Sequence, residues 1–330
     1  MEATALFAQL GLTVVIGFAA RKALESASTR GVRLAAEVRA LLNKLVLWVT
    51  MPALVFQTVH AAPLGMDIVQ APAAAIAGMA GTALVAWALL ARRYGNTPET
   101  GGLVLAASAG SVSFFGIPIV RALFGAEEAR VAVYFAVLNV PLALAVGAII
   151  SARIDKQRSA AARVGRGGGT RAALTYLKIA GRQLVGTPAT WALAAGVALQ
   201  GVELDPIADS ALTLFTRSVA PTTMFALGLG LRFERSMAPY RMALPAVAIK
   251  LAVSPLVVFA CAWALGLSGL PLAIVSLQGA MPTQVLSVVV AERFHLNSRL
   301  VGLTLAMDTA LSFILLPVVL AIVAYASGGI

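Results

Sequence analysis

Two stretches of the sequence decide the fold: GAMPTQVLSVVVAERF at residues 279–294 and SFFGIPIVRALFG at residues 113–125. Each carries a proline, Pro282 or Pro118, inside an apolar run of about 20 residues, the length of a membrane-spanning helix. A proline removes a backbone N–H and its ring clashes with the preceding turn, so both runs are predicted to be broken helices. Since lipid cannot satisfy the freed backbone groups, the breaks are predicted to line a cavity within the protein.

The composition extends this interpretation to the whole chain. Of the 330 residues, 60% are hydrophobic and only 12% are charged, whereas a globular protein has about 25% charged residues. An ordinary soluble domain is therefore excluded. The single Cys261 excludes a disulfide scaffold, and one cysteine with two histidines cannot supply a structural zinc site. The net charge of +11 comes from residues between the apolar runs, so no nucleic-acid partner is predicted.

Ten apolar runs are predicted to be membrane-spanning helices. They lie at about residues 3–20, 40–60, 68–91, 101–124, 130–152, 186–202, 207–231, 241–266, 270–291 and 299–326. The loops that follow the odd-numbered runs hold 21 of the 25 basic residues. By the positive-inside rule these loops are cytoplasmic, which predicts a multi-pass inner (plasma) membrane protein with both termini outside.

The two halves of the chain repeat a pattern. Pro52 and Pro221 are 169 residues apart, and each is followed by Phe four positions later. Asn139 and Asp308 are also 169 residues apart, and each lies nine residues after an arginine. Such internal repeats, with interrupted helices in matching places, are typical of secondary transporters.

The repeat predicts the domain organisation. Five runs in each half is an odd number, so the second half would insert upside down relative to the first. We therefore predict a first five-helix repeat at residues 1–152, a basic cytoplasmic linker at residues 153–185 and a second, inverted five-helix repeat at residues 186–330.

Four stretches resemble the auxin efflux carrier family, which includes plant auxin exporters and bacterial malonate-type carriers. These are the two proline stretches quoted above, APTTMFALGLGL at 220–231 and IKLAVSPL at 249–256. The resemblance implies an all-α polytopic membrane protein with ten transmembrane helices in two inverted five-helix repeats, the bile acid symporter or auxin carrier-like fold. It implies that the proline-broken fourth and ninth helices cross at the substrate site. Members often carry Asn seven residues before the first of these prolines, where this chain has Ser111.

Polar side chains beside the two breaks are candidate ligands for a substrate oxyanion. Ser111 and Ser113 precede Pro118, and Thr283 and Gln284 directly follow Pro282. Asn139 occupies the repeat position of Asp308 and could bind substrate at the crossover or form an interhelical hydrogen bond. The predicted substrate-binding set is Ser111, Ser113, Pro118, Asn139, Lys250, Pro282, Thr283 and Gln284.

Two ionisable residues lie deep within predicted spans, where charges are costly and usually functional. Lys250 lies in the eighth run and Asp308 in the tenth, at similar depth from the cytoplasmic side. The two could form a pair that exchanges a proton during transport, Lys250 could bind a substrate carboxylate directly, or the pair could be purely structural. Arg217, in the outer part of the seventh run, could snorkel to the surface or attract anions.

Together these features favour a secondary carrier that moves a small organic anion by alternating access. The family resemblance suggests a carboxylate such as malonate or an auxin-like acid, with a proton or sodium as a possible coupling ion. We expect no cofactor, no metal and no catalytic residue, because no nucleotide motif or catalytic cluster is present. A channel or membrane-embedded sensor of the same fold is the alternative, and a membrane enzyme is disfavoured. Membrane lipids and a second copy of the chain are the expected partners.

Overall fold

The computed structural model describes residues 2–61, 65–161, 186, 188–231 and 236–326. Within these ranges every regular element is a helix, and the only β pairing is an isolated bridge. The predicted linker at 153–185 lies mostly outside the described residues. Its first part differs from the expected loop, because the helix before it continues to Ala161.

The α-helices follow one another along the described chain with short connections. They are α1 (Glu2–Ala27), α2 (Thr29–Leu45), α3 (Met51–His60), α4 (Asp67–Tyr94), α5 (Pro98–Ser108), α6 (Ile117–Ala136), α7 (Asn139–Ala161), α8 (Pro188–Ala198), α9 (Pro206–Gly230), α10 (Ala238–Ala248), α11 (Ser254–Ala264), α12 (Gly269–Gly279), α13 (Leu286–Arg293) and α14 (Ser298–Ala326). Three π-helical turns, Val46–Thr50, Val112–Gly116 and Ile249–Val253, join α2 to α3, lead into α6 and join α10 to α11.

Five helical segments of the described chain are long and apolar enough to cross a membrane. They are Arg30–His60, Asp67–Tyr94, Glu127–Asp155, Ala238–Ala264 and Ser298–Leu315. Shorter apolar helices cover Val112–Gly125, Pro188–Ala198 and Gly269–Gly279. Every predicted run overlaps a helix, but the second begins ten residues earlier than predicted, because basic residues join the same continuous helix.

A kink inside α6 separates the fourth and fifth predicted runs. Gly125 has φ 91° and ψ 175°, a left-handed conformation that favours glycine because it has no Cβ. One apolar helix ends at Gly125, and the next long apolar helix begins at Glu127. The two runs are therefore distinct segments joined by a very tight connection.

The helices form two bundles. The first bundle consists of α1, α2, α3, α8 and α9, with α1 packed along α9 and α3 packed against α8. A Cβ on Gly228 of α9 would overlap the carbonyl oxygen of Val14 and lie 3.0 Å from Cα of Gly17, so glycine permits this close crossing. The second bundle consists of α4 to α7 and α10 to α14. The two bundles meet where α3 contacts α6 and where α1 contacts α14.

Candidate functional site

Two helix breaks meet inside the second bundle. The first interrupts the helical path between α5 and α6 at residues 109–111, and the second separates α12 from α13 at residues 280–285. Gly110 and Thr283 form an antiparallel bridge between them. The two interrupted helices therefore cross at their breaks.

Backbone hydrogen bonds between the breaks satisfy groups that the interrupted helices leave free. The amide of Ser111 donates to the carbonyl oxygen of Pro282 at 2.6 Å, and the amide of Gln284 donates to that of Ala109 at 3.0 Å. A buried backbone amide or carbonyl without a partner is costly in an apolar medium. Each break thus stabilises the other, because each supplies hydrogen-bond partners for backbone groups that the other leaves free.

The prediction that the first helix breaks at Pro118 is wrong, because the break lies at residues 109–111. Pro118 is a buried residue in the first turn of α6, eight residues after Gly110. A proline is tolerated in a first helical turn, where its missing N–H has no intrahelical partner to lose. Gly110 permits the break instead, because a Cβ there would lie 3.0 Å from Nζ of Lys250 and 3.3 Å from the carbonyl oxygen of Met281. Pro282 does lie within the second break.

Asn139 connects both breaks through its side chain. Its Nδ2 donates to the carbonyl oxygen of Gly110 at 2.8 Å and to Oε1 of Gln284 at 2.7 Å. The residue is 4% exposed and begins α7, where Pro141 allows a helix to start. Of the two roles considered for Asn139, the interhelical hydrogen bond is therefore present, and it lies at the crossover.

Asp308 is buried behind the second break. Its Oδ2 accepts hydrogen bonds from the amide of Thr283 at 2.9 Å and from Oγ1 of Thr283 at 2.5 Å. The same hydroxyl lies 2.9 Å from the carbonyl oxygen of Ala106. Oδ1 of Asp308 is buried, with no hydrogen-bond partner among the described residues. The carboxylate thus stabilises the second break through its bonds to Thr283, while its other oxygen accepts no hydrogen bond from a described residue.

Lys250 lies in the π-helical turn Ile249–Val253, with its Nζ close to Gly110 of the first break. It is 1% exposed, and its Nζ lies 3.3 Å from both Oγ of Ser254 and the carbonyl oxygen of Gly279. Asp308 acts on Lys250 electrostatically, but no ion pair joins them among the described residues. The structure therefore shows no direct Asp–Lys pair. Lys250 is a buried cation whose direct partners are neutral oxygens.

Gln278 is a buried residue of this site that the sequence analysis missed. It is fully buried, and both polar atoms of its side-chain amide have no partner among the described residues. The amide packs against Gly116, where any Cβ would overlap it. A small cavity of about 20 Å³ lies between Gln278, Lys250 and Asn139, which is enough for one water molecule. No local pattern in the sequence marks this residue, since it ends an ordinary apolar helix.

Four of the predicted binding residues line a second cavity, of about 50 Å³, between the two bundles. Its polar lining is Ser111, Ser113, Asn139 and Gln284. Its apolar lining includes Met51 and Val55 of α3, Ile117 and Val133 of α6, and Ala189 of α8. Apolar walls with a few convergent polar groups are typical of small-molecule sites. Thr283 and Asp308 lie behind this lining, and Lys250 lines the smaller cavity.

A third cavity of about 430 Å³ opens between the bundles near the ends of several helices. Arg39 of α2, Glu292 of α13 and Arg299 of α14 lie in its lining. Leu231, directly after α9, and Leu305, one turn of α14 before Asp308, also line it. This wider cavity therefore extends from charged helix ends towards the crossover.

Two comparisons with known proteins cover most of the chain. A model of a family described as membrane transport protein matches residues 9–320. A protein of Methanothermobacter thermautotrophicus described as an "uncharacterized transporter" is 28% identical over 283 residues. That similarity covers 84% of this chain and 86% of the relative. The family match spans the two bundles and both crossed breaks.

Proposed function

Because this chain belongs to the membrane transport protein family, the family of the auxin efflux carriers, we propose that it is a secondary carrier of a small organic anion. The observation that carries the proposal is the crossing of two interrupted helices beside a buried lysine and a buried aspartate. Interrupted helices that place polar backbone and charge at membrane depth are a feature of secondary transporters. The candidate substrate is a carboxylate, such as malonate or an auxin-like acid.

The charges at the crossover support an anionic substrate. Lys250 has no carboxylate partner among the described residues, so an added anion would neutralise a buried positive charge. The cavity beside Lys250 is too small for a carboxylate, whereas the 50 Å³ cavity adjoins the same backbone segment at Ser111. We therefore place the carboxylate with Ser111, Ser113, Asn139 and Gln284. Lys250 stabilises it electrostatically across Gly110, and Asp308 is the candidate coupling group.

The membrane arrangement in this proposal is that of ten segments in two inverted five-helix repeats. The pairing of the breaks supports this arrangement, since each half of the chain contributes one break and the two breaks exchange backbone hydrogen bonds. The excess of basic residues after odd-numbered segments supports a cytoplasmic position for those loops. In this arrangement the 430 Å³ cavity with Arg39 and Arg299 would face the cytoplasm, as expected of an inward-facing state.

Alternating access would follow from movement of one bundle against the other. The 50 Å³ and 430 Å³ cavities are both lined by residues of the two bundles, so a rocking motion would change access to both. The crossed breaks lie wholly within the second bundle, which would carry the substrate site as one unit. The first bundle would remain fixed in the lipid.

Uptake into proteoliposomes tests the proposed function. The purified protein is reconstituted and given a panel of labelled carboxylic acids, with and without an imposed pH gradient. We expect saturable uptake of at least one acid above that of protein-free liposomes. Stimulation by the pH gradient would establish proton coupling, and non-saturable flux would favour a channel. Absence of protein-dependent flux for every acid would contradict the proposed substrate class.

Pro282→Ala is expected to lower uptake about tenfold or more, with expression close to that of the parent. Alanine restores a backbone N–H and allows α12 to extend through the break, which would compete with the bond from Ser111 to the carbonyl of residue 282. A tenfold loss corresponds to about 1.4 kcal/mol. Uptake per folded molecule is the measurement. Pro72→Ala, inside the continuous helix α4, is the matched control and should retain uptake. Equal loss of expression and uptake in Pro282→Ala would indicate a purely structural proline.

A further inference from the structure

A polar contact joins the two bundles at one end of the 50 Å³ cavity. Arg121 of α6 donates from Nη1 to Oγ1 of Thr58 at 2.8 Å and from Nη2 to Oε1 of Gln57 at 3.1 Å. Thr58 and Gln57 belong to α3, so the contact crosses from the second bundle to the first. Thr58 is fully buried and Arg121 is partly buried.

Helix geometry places this contact directly above the cavity. Ile117 lines the cavity and lies four residues before Arg121, on the same face of α6 and about 6 Å along its axis. Val55 lines the opposite wall and lies three residues before Thr58, on the same face of α3 and about 4.5 Å along its axis. The contact between Arg121 and Thr58 therefore closes the cavity one helical turn beyond its lining.

This closed end lies far from the wide cavity. Arg39, which lines the 430 Å³ cavity, and Thr58 lie in the same continuous helix of residues 30–60. Nineteen residues separate them, which corresponds to about 28 Å of helix. The protein is thus open between the bundles at one end and closed by Arg121 at the other.

The charge around Arg121 is not neutralised. Among the described residues, no carboxylate forms an ion pair with it, and both of its hydrogen-bond partners are neutral oxygens. Arg217 of α9, an exposed residue, repels it electrostatically. The nearest acidic link is indirect, because Gln57 also donates to Oδ1 of Asp209 at 3.2 Å. Arg121 therefore has no direct carboxylate partner among the described residues, and a second cation, Arg217, acts on it.

We propose that Arg121 is a latch that closes the outer entrance and opens by binding a carboxylate. A guanidinium binds a carboxylate through two parallel, charge-assisted hydrogen bonds, which are about twice as strong as bonds to neutral acceptors. An incoming carboxylate therefore displaces Thr58 and Gln57 from Arg121 and separates α6 from α3. This inference rests on the proposed function, which assigns the end of the molecule with Arg121 to the outer side of the membrane. It deepens that function by naming the contact that closes the outer entrance.

Thiol labelling in the membrane tests the latch without requiring transport. Cys261 is the single cysteine of the chain, so Cys261→Ser provides a cysteine-free parent. Ala189→Cys, on the apolar wall and outside the proposed carboxylate ligands, then places a reporter thiol in the 50 Å³ cavity. Membrane-impermeant thiol reagents are applied to each side of the membrane separately, one reagent cationic and one anionic. We expect Arg121→Gln to accelerate labelling about tenfold or more, from the outer side only and with both reagents, which corresponds to about 1.4 kcal/mol.

Three matched variants separate a latch from a change of charge. Thr58→Val removes the acceptor while retaining shape, so it should accelerate labelling in the same direction. Arg121→Lys retains the charge without the two-pronged geometry and should give an intermediate rate. Arg217→Gln removes a neighbouring charge that takes no part in the bonds between Arg121, Thr58 and Gln57, so it should leave the labelling rate unchanged. Equal labelling of Arg121→Gln and the parent would overturn the latch, as would an equal effect of Arg217→Gln.

Added carboxylates test the opening step. Malonate, acetate and indole-3-acetate, each supplied at the outer side against chloride at the same ionic strength, are the probes. We expect at least one of them to accelerate labelling of the parent and none to accelerate labelling of Arg121→Gln. If all three leave the parent rate unchanged or slow it, release by a carboxylate is overturned. Because labelling needs no flux, a chain that fails the uptake test can still show the latch, so the two failures are distinguishable.

Discussion

Lys250→Met is expected to lower carboxylate uptake about 50-fold or more while folded protein is retained. Methionine preserves the unbranched, buried stem, and the partners that it abandons, Ser254 and the carbonyl of Gly279, keep a bond to each other at 3.0 Å. The variant loses the electrostatic attraction between the lysine and the substrate carboxylate. A unit charge about 7 Å from a carboxylate contributes about 2.4 kcal/mol to binding at an effective dielectric constant of 20. Uptake per folded molecule, measured in proteoliposomes, checks the result.

Two further variants make the Lys250 result interpretable. Lys44→Met removes an exposed lysine of α2 and should leave uptake near that of the parent. Lys250→Met combined with Asp308→Asn removes both buried charges together and should restore any thermal stability lost in Lys250→Met, since a lone buried charge is costly. Near-normal uptake by Lys250→Met would show that this cation does not compensate the substrate charge.

Asp308→Asn is expected to remove the pH dependence of uptake and to lower its maximum rate about tenfold. The asparagine carbonyl can still accept from the amide and hydroxyl of Thr283, and its NH₂ group replaces the carboxylate oxygen that has no described partner. The fold is therefore retained while the carboxylate is lost. If Asp308 carries the coupled proton, uptake by the parent rises as the pH on the substrate side falls, and uptake by the asparagine variant is flat. A tenfold change corresponds to about 1.4 kcal/mol.

The hydrogen bonds of Thr283 explain why protonation of Asp308 would be felt at the crossover. The hydroxyl has one proton but lies within bonding distance of both Asp308 and the carbonyl of Ala106. When Asp308 is ionised, Thr283 donates to the carboxylate, and the carbonyl of Ala106 receives no proton from it. When Asp308 is protonated, it can donate to Thr283, which then donates to Ala106. Lys250 is the charged side chain that acts on Asp308 electrostatically and would modulate this exchange.

Thr283→Val tests the role of the Thr283 hydroxyl separately from the charge of Asp308. Valine retains the shape and the amide bond to Asp308 but removes the hydroxyl link to α5. We expect a weakened pH dependence with the carboxylate still present. The matched control is Glu203→Gln, which neutralises an exposed carboxylate before α9 and should keep the parental profile. An unchanged pH profile in Asp308→Asn would remove this residue from proton coupling.

The helical segments of this protein could be predicted from the sequence because they depend on local properties. A run of about 20 apolar residues is favourable in lipid whichever helices surround it. The position of Pro282 inside such a run correctly predicts a break. Pro72 lies in a helix that continues and Pro118 lies in a first helical turn, so a proline alone does not decide where a break forms. Ser111, Ser113 and Gln284 could be expected near the crossover because they flank the breaks in sequence. Asn139 was expected there from its repeat position.

The sequence by itself determined an all-helical membrane protein with a broken helix in each half, since hydropathy acts locally and polar residues interrupt both runs. Only the tertiary structure decided which groups meet. It moved the first break from Pro118 to Gly110, where a Cβ would be in tight contact with Lys250 and with the facing backbone. It separated Lys250 from Asp308 and brought Arg121 against Thr58, 63 residues earlier in the chain. These contacts depend on how distant segments approach, and a bond between side chains leaves no periodic signal in either segment.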